Sequence, residues 1–123
     1  MNIAIDIDDT LTESFDYFLP YVAEYFDVDE ETLRKQNISY SNLPKEWKKD
    51  EIGFCRAYYD RIVPGTPFKQ DAAWGVKRLR ELGHRIVIIT ARTDALYTDP
   101  YQTTEQELAN GGICYDKLIC TFD

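Results

Sequence analysis

The chain has a single histidine, three cysteines and no apolar run approaching the roughly 18 residues of a membrane span. With only His84, a histidine-rich metal site is excluded. Cys55, Cys114 and Cys120 are odd in number and widely spaced, and none forms a C-x-x-C pair. That excludes the usual zinc and redox signatures and points to a reducing compartment. The opening Met1-Asn2-Ile3-Ala4-Ile5-Asp6 has neither a basic segment nor a long apolar stretch, so no secretory signal is expected. These absences predict a cytoplasmic protein with no membrane partner, in which the sequon Asn37-Ile38-Ser39 is incidental. Basic residues are also few: 14 against 22 acidic ones, for a net charge of -8. A nucleic-acid polymer is therefore not the expected partner, because phosphate backbones are bound by clustered Lys and Arg. A small anionic substrate is not excluded, since a bound cation can oppose the global charge locally.

What is present is enough for one folded domain. The chain has 123 residues, of which 44% are apolar and 29% charged. No internal repeat or low-complexity tract is visible. Asn2 to Ile7 reads as a strand with Ile at alternate positions. Ser14 is positioned to cap a helix reaching Phe26, which Pro20 should kink or split. Asp29-Glu30-Glu31-Thr32 resembles a second helix start, Asn37 to Pro44 reads as a loop, and a third helix is expected from Pro44 to Ile62. Thr66 and Pro67 suit the N-cap and first position of a helix reaching Leu82, where Gly83 ends it. Arg85-Ile86-Val87-Ile88-Ile89-Thr90 is the unbroken apolar run of a strand covered on both faces. A helix near Thr103 to Ala109 and a last strand from Leu118 to Phe122 complete an α/β order with a parallel sheet of three strands.

Two segments carry chemistry. In Ala4-Ile5-Asp6-Ile7-Asp8-Asp9-Thr10-Leu11, three carboxylates fall within four positions, directly after a strand. Ligand sites of parallel α/β sheets form at the carboxyl ends of strands. Asp6 and Asp8 point the same way in extended geometry. Their mutual repulsion is relieved by a hard cation such as Mg²⁺, which takes one or two carboxylates and completes its shell with water and phosphate. The plainer alternative is an acidic turn capping the next helix. In the second segment, Ile88-Ile89-Thr90-Ala91-Arg92-Thr93, a Thr ends a strand and can aim its hydroxyl at a ligand, with the following amides forming an anion-binding concavity. Taken alone, Thr90 is more simply a satisfied strand end. Arg92 is equally suited to an anion contact or a surface salt bridge.

Together, the Asp-x-Asp-x-Thr-Leu motif and Gly83-His84-Arg85-Ile86-Val87-Ile88-Ile89-Thr90-Ala91-Arg92 about eighty residues later resemble the haloacid dehalogenase (HAD) superfamily of phosphohydrolases. Pro64-Gly65-Thr66-Pro67 ahead of the intervening helix adds to the likeness. Within the superfamily, the spacing is most similar to the small 5'(3')-deoxyribonucleotidase-like putative nucleotidases. The resemblance implies a Rossmann-like parallel sheet, with core segments 1–11 and 64–123 and a helical cap over about 12–63. It implies Asp6 as nucleophile, Asp8 as general acid/base, and phosphate binding by Thr90 with the amides of Ala91 and Arg92. It also implies Mg²⁺ held by the Asp6 carboxylate and the Asp8 main-chain carbonyl. The substrate would be a small phosphorylated molecule, a nucleotide or a sugar phosphate. Among the cap aromatics (Phe15, Tyr17, Phe18, Tyr21, Tyr25, Trp47, Phe54, Tyr58, Tyr59), some could stack a base or sugar, and most are expected in the core.

The family pattern also includes a Lys beside the nucleophile and a late strand ending in acids. Lys117 precedes its strand and lies at the wrong end, and Asp123 follows Thr90 too closely to match the late acid. The expectation is a chain truncated relative to the family, with reduced metal affinity and rate, and with strand 1 as an exposed edge through which copies pair into a homo-oligomer. Two other readings remain open. One is an inactive phosphate- and metal-binding or interaction module. The other, a phospho-accepting receiver domain, fits less well because its acid pair and phospho-accepting Asp lie on different strands.

Overall fold

Three short parallel strands meet side by side, and the helices between them supply the crossovers that parallel pairing requires. The computed structural model describes residues 1–36 and 44–121. Strand β1 (Asn2–Ile5) pairs with β2 (Arg85–Thr90), with Ile3 opposite Ile86 and Ile5 opposite Ile88. Strand β2 pairs in turn with β3 (Lys117–Cys120), with Ile88 opposite Leu118 and Thr90 opposite Cys120. The order is β1-β2-β3, so β1 is an edge of this sheet among the described residues. Between β1 and β2 run α1 (Ser14–Phe26), α2 (Glu30–Arg34), α3 (Lys45–Lys49), α4 (Glu51–Ile62), a 3-10 turn over Val63–Gly65, and α5 (Ala72–Glu81). Helix α6 (Pro100–Asn110) connects β2 to β3. No helix among the described residues is long and apolar enough to cross a membrane.

Apolar side chains collect in two clusters. Ile86 and Ile88 are fully buried and pack with Ile7, Leu11, Val76, Leu108 and Ile113, joining β2 to α5 and α6. Phe15, Phe18, Leu19, Val22, Leu33, Trp47, Phe54, Tyr58 and Ile62 form the second cluster among α1 to α4, where Trp47 and Phe54 meet edge to face at 5.2 Å. Such aromatic burial is the main stabilising term of a helical layer this small.

Several local expectations are corrected by tertiary contacts. Strand β2 is fully buried on one face and only partly covered on the other, among the described residues. Ile86, Ile88 and Thr90 are buried, whereas Ile89 on the other face is 37% exposed. Pro20 does not split α1, which runs continuously with Pro20 on its exposed side and Phe18, Leu19 and Val22 holding both halves to the core. The helix expected from Pro44 breaks at Asp50, whose carboxylate caps α4 by accepting from Gly53 N at 3.1 Å. Helix α5 begins at Ala72, not Pro67. The intervening residues pair with the segment after β1, through Lys69 N to Leu11 O at 2.8 Å and Glu13 N to Pro67 O at 2.9 Å. Helix α6 starts earlier than Thr103, at Pro100, because Asp99 caps it through Gln102 N. Strand β1 stops at Ile5 and β3 spans Lys117–Cys120, while Phe122 and Asp123 lie outside the described residues. Most of the loop expected over Asn37 to Pro44 also lies outside them.

Candidate active site

Where β1 ends, the chain folds tightly back on itself. Ile7 O accepts from Thr10 N, Leu11 N and Thr12 N at 3.1, 2.9 and 3.3 Å. Asp9 adopts the left-handed region at φ 58, which short acids tolerate better than most residues. Its carboxylate accepts from Phe15 N at 3.3 Å, which ties the turn to the first turn of α1. In that respect the plainer reading of an acidic turn capping a helix holds for Asp9. Asp6 and Asp8 have different surroundings.

Asp8 is held from two sides. Ser14 Oγ donates to its Oδ1 at 2.9 Å, and Arg92 Nη2 donates to the same oxygen at 3.2 Å. No donor among the described residues reaches Asp8 Oδ2. With the Ser14 proton committed to Asp8, the Thr12 hydroxyl donates to Ser14 Oγ and itself accepts from Asp9 N at 3.3 Å. Asp6 lies exposed at the carboxyl end of β1. Its carboxyl is raised above the ordinary value of 3.8, first by partial desolvation and then by the charge of Asp8; the Ile7 N–H and Arg92 pull the other way.

Thr90 is buried at the carboxyl end of β2, adjacent to the strand that delivers Asp6. Ala91 follows it and is exposed. The parallel register thus brings Asp6, Asp8, Thr90, Ala91 and Arg92 to one end of the sheet. The Arg92 side chain is neither a surface ion pair nor open to an anion from solvent. It is 3% exposed; both terminal nitrogens are bonded inside the protein, whereas its Nε and the Glu107 Oε2 are buried with no hydrogen-bond partner among the described residues. Its Nη1 donates to Glu107 Oε1 at 2.6 Å and Thr104 Oγ1 at 3.1 Å, and its guanidinium lies 5.7 Å from the centre of the Tyr97 ring. Glu107 is fully buried, and burial raises its carboxyl against the opposing pull of Arg92.

Thr104 and Glu107 are the residues that the sequence reading did not single out. The signal was present: an acid three residues after Thr104 and just before the buried Leu108 falls on the inward stripe of α6. Nothing local indicates which cation it meets.

Helix α4 is fastened to the segment after Arg92. Asp60 accepts from Thr98 N at 3.0 Å and from Thr98 Oγ1 at 2.6 Å, and Arg56 Nε donates to Ala95 O at 2.7 Å. Tyr59 packs on Tyr97 with ring centres 5.2 Å apart. Most of the aromatics considered for stacking a base are in the helical core, with Phe15, Phe18, Trp47, Phe54 and Tyr58 all buried. Cys55 is buried among them, and desolvation pushes its thiol up to about 12, so it is an inert thiol.

A cleft of about 660 Å³ lies elsewhere, at the amino end of the sheet, lined by Lys77, Arg80, His84, Arg85, Cys114 and Asp116 among others. It is remote from the carboxylates. Arg80 there pairs with Asp116 at 3.0 Å, and Asp116 also accepts from Ile86 N at 2.8 Å.

Among the described residues, no three His, Cys, Asp or Glu side chains group closely enough to form a metal cage. The donors at this end of the sheet instead suit a hydrated hard cation. Asp6 is exposed and repelled by its neighbour, while Asp8 Oδ1 is taken up by Ser14 and Arg92. Comparison with family models, with curated proteins and with solved structures found no match.

Proposed function

We propose that the chain is a Mg²⁺-dependent phosphomonoester hydrolase of the haloacid dehalogenase type, acting on a small phosphorylated molecule such as a nucleotide or sugar phosphate. The observation that carries this reading is the juxtaposition of Asp6, an Asp8 anchored through one oxygen, and Thr90 at the carboxyl ends of adjacent parallel strands.

In this reading an Asp6 carboxylate oxygen attacks phosphorus in line with the ester oxygen. The phosphorus–ester bond breaks, and the phosphoryl group passes to Asp6 as an acyl-phosphate. Asp8 gives a proton to the departing oxygen. It then takes one from the water that attacks phosphorus, releasing phosphate and restoring the Asp6 carboxylate. Thr90 and the amides of Ala91 and Arg92 orient the phosphoryl oxygens. Magnesium, when bound by the Asp6 carboxylate and the Asp8 carbonyl, would supply the positive charge that lets two anions approach. Helices α1 to α4 exclude water from the leaving-group side.

A second reading, an inactive phosphate- or metal-binding module, is favoured by one observation. The Asp8 carboxylate already has two internal partners.

The deciding experiment measures phosphate release from a panel of nucleoside and sugar monophosphates with and without Mg²⁺. Release that requires Mg²⁺ and disappears in Asp6→Asn is expected. No release from any substrate would overturn the hydrolase reading in favour of the binding module.

A further inference from the structure

The Glu107–Arg92 pair is hard to explain as a stabilising device. Both residues are almost wholly removed from water, with Glu107 at 0% and Arg92 at 3% exposure. Desolvating two such charges costs about as much as their attraction returns, and apolar replacements of similar volume are often neutral or better. An apolar residue at position 107 would continue the stripe that already carries Leu108 into the sheet core. What the acid provides is direction. Glu107 and Thr104 hold one terminal nitrogen of the guanidinium, and the plane of the Tyr97 ring lies against it. The other terminal nitrogen is thereby aimed at Asp8 Oδ1, the oxygen that also receives the Ser14 hydroxyl. Both donors converge on Oδ1, and no donor among the described residues reaches Oδ2. A carboxylate that must move a proton at one oxygen is best held by the other.

We infer that Glu107 is a positioning residue. Acting through Arg92, it fixes the Asp8 carboxylate so that Oδ2 faces the reacting phosphoester. The inference rests on the hydrolase reading above and adds to it a buried residue on α6 that does not touch the substrate.

The test uses the full chain with Mg²⁺ and p-nitrophenyl phosphate. Three variants are compared: Glu107→Leu, which removes the anchor; Glu107→Gln, which keeps its shape and one acceptor oxygen; and Arg92→Lys, which keeps charge but loses the fork. A misplacement of about 1 Å at a reacting group can cost on the order of 100-fold. Glu107→Leu is therefore expected to lower kcat about 10- to 100-fold with KM changed less than about twofold, as for an interaction made only in the transition state. Glu107→Gln should recover part of the loss. Arg92→Lys should resemble Glu107→Leu. Thermal unfolding of Glu107→Leu is expected to fall, because Arg92 stays charged and buried after losing one partner, so the readouts that separate positioning from structure are the kcat-against-KM split and its partial rescue in Glu107→Gln. Nitrogen-labelled NMR supplies a readout independent of turnover: the Arg92 guanidinium N–H signals should be protected from exchange in wild type and lose protection in Glu107→Leu. An active wild type alongside Glu107→Leu with full kcat would overturn this inference alone. A kcat loss matched by a lost melting transition, and not partly restored in Glu107→Gln, would also overturn it. An inactive wild type would overturn the hydrolase reading and this inference with it.

Discussion

Asp6 combines an exposed position with a carboxyl that its surroundings push toward the neutral form. Its value is raised above the ordinary 3.8, so the folded chain binds a proton there more readily than the unfolded chain does. Between the ordinary value and the raised one, stability contributed by this group falls as pH rises. Above both, the charged Asp6 is a standing cost. On the proposed hydrolase reading Asp6→Asn abolishes turnover; by the electrostatics alone it is expected to raise the thermal midpoint at neutral pH slightly, because the group is exposed. A lowered midpoint at neutral pH would refute the electrostatic account. Asp116 behaves in the opposite sense. The Ile86 N–H, then Arg80, hold its carboxyl below 3.8. Its contribution is present above 3.8 and is lost as pH falls through the depressed folded value. Melting curves of Asp116→Asn should lie below wild type at neutral pH and converge with it in acid.

At the scale of elements, the sheet is the part whose asymmetry matters most. Ile88 and Ile89 are chemically identical neighbours on β2, one fully buried and the other 37% exposed. Ile88→Ala leaves a cavity under α5 and α6 and is expected to cost about 2–5 kcal/mol. Ile89→Ala, at a half-exposed side chain, is expected to cost less, about 1 kcal/mol. Equal losses at the two positions, measured by urea denaturation, would show that both faces are equally covered. The helical layer has a comparable weak point at Asp50. Its carboxylate caps α4 and also accepts from the Tyr25 hydroxyl at 2.8 Å, joining α4 to α1. Asp50→Ala should cost about 1 kcal/mol through the lost cap.

For the whole molecule, the open features are the β1 edge and the partly covered sheet face beside it. Ala4 is exposed on β1, and β1 has a strand neighbour on one side only among the described residues. An unprotected apolar edge pairs readily with another chain, although a net charge of -8 opposes close approach at low salt. We expect concentration-dependent self-association that strengthens with salt and weakens in Ala4→Lys. Light scattering that returns a monomer at every concentration and ionic strength would refute it.

The residues of the chain determined much of this without tertiary help. Alternating Ile before Asp6 specifies a strand, and the closely spaced acids then fall at its carboxyl end, because these are short-range consequences of side-chain period and turn chemistry. Thr90 at the end of the β-branched run follows by the same logic. So does the existence of most helices, since capping residues and apolar stripes act within a few positions. The tertiary structure alone decided three further things. It placed the start of α5, because Phe68 and Lys69 are drawn into pairing with residues near Thr12 that no local propensity registers. It decided that β2 is fully buried on one face only, because an apolar run states that burial is favourable but not which layers will supply it. It also decided that Arg92 turns inward to join Asp8, 84 residues away, with Glu107, 15 residues away. A buried charge is tolerated only where partners converge on it from several elements, and that convergence is a property of the assembled fold rather than of any segment of the chain.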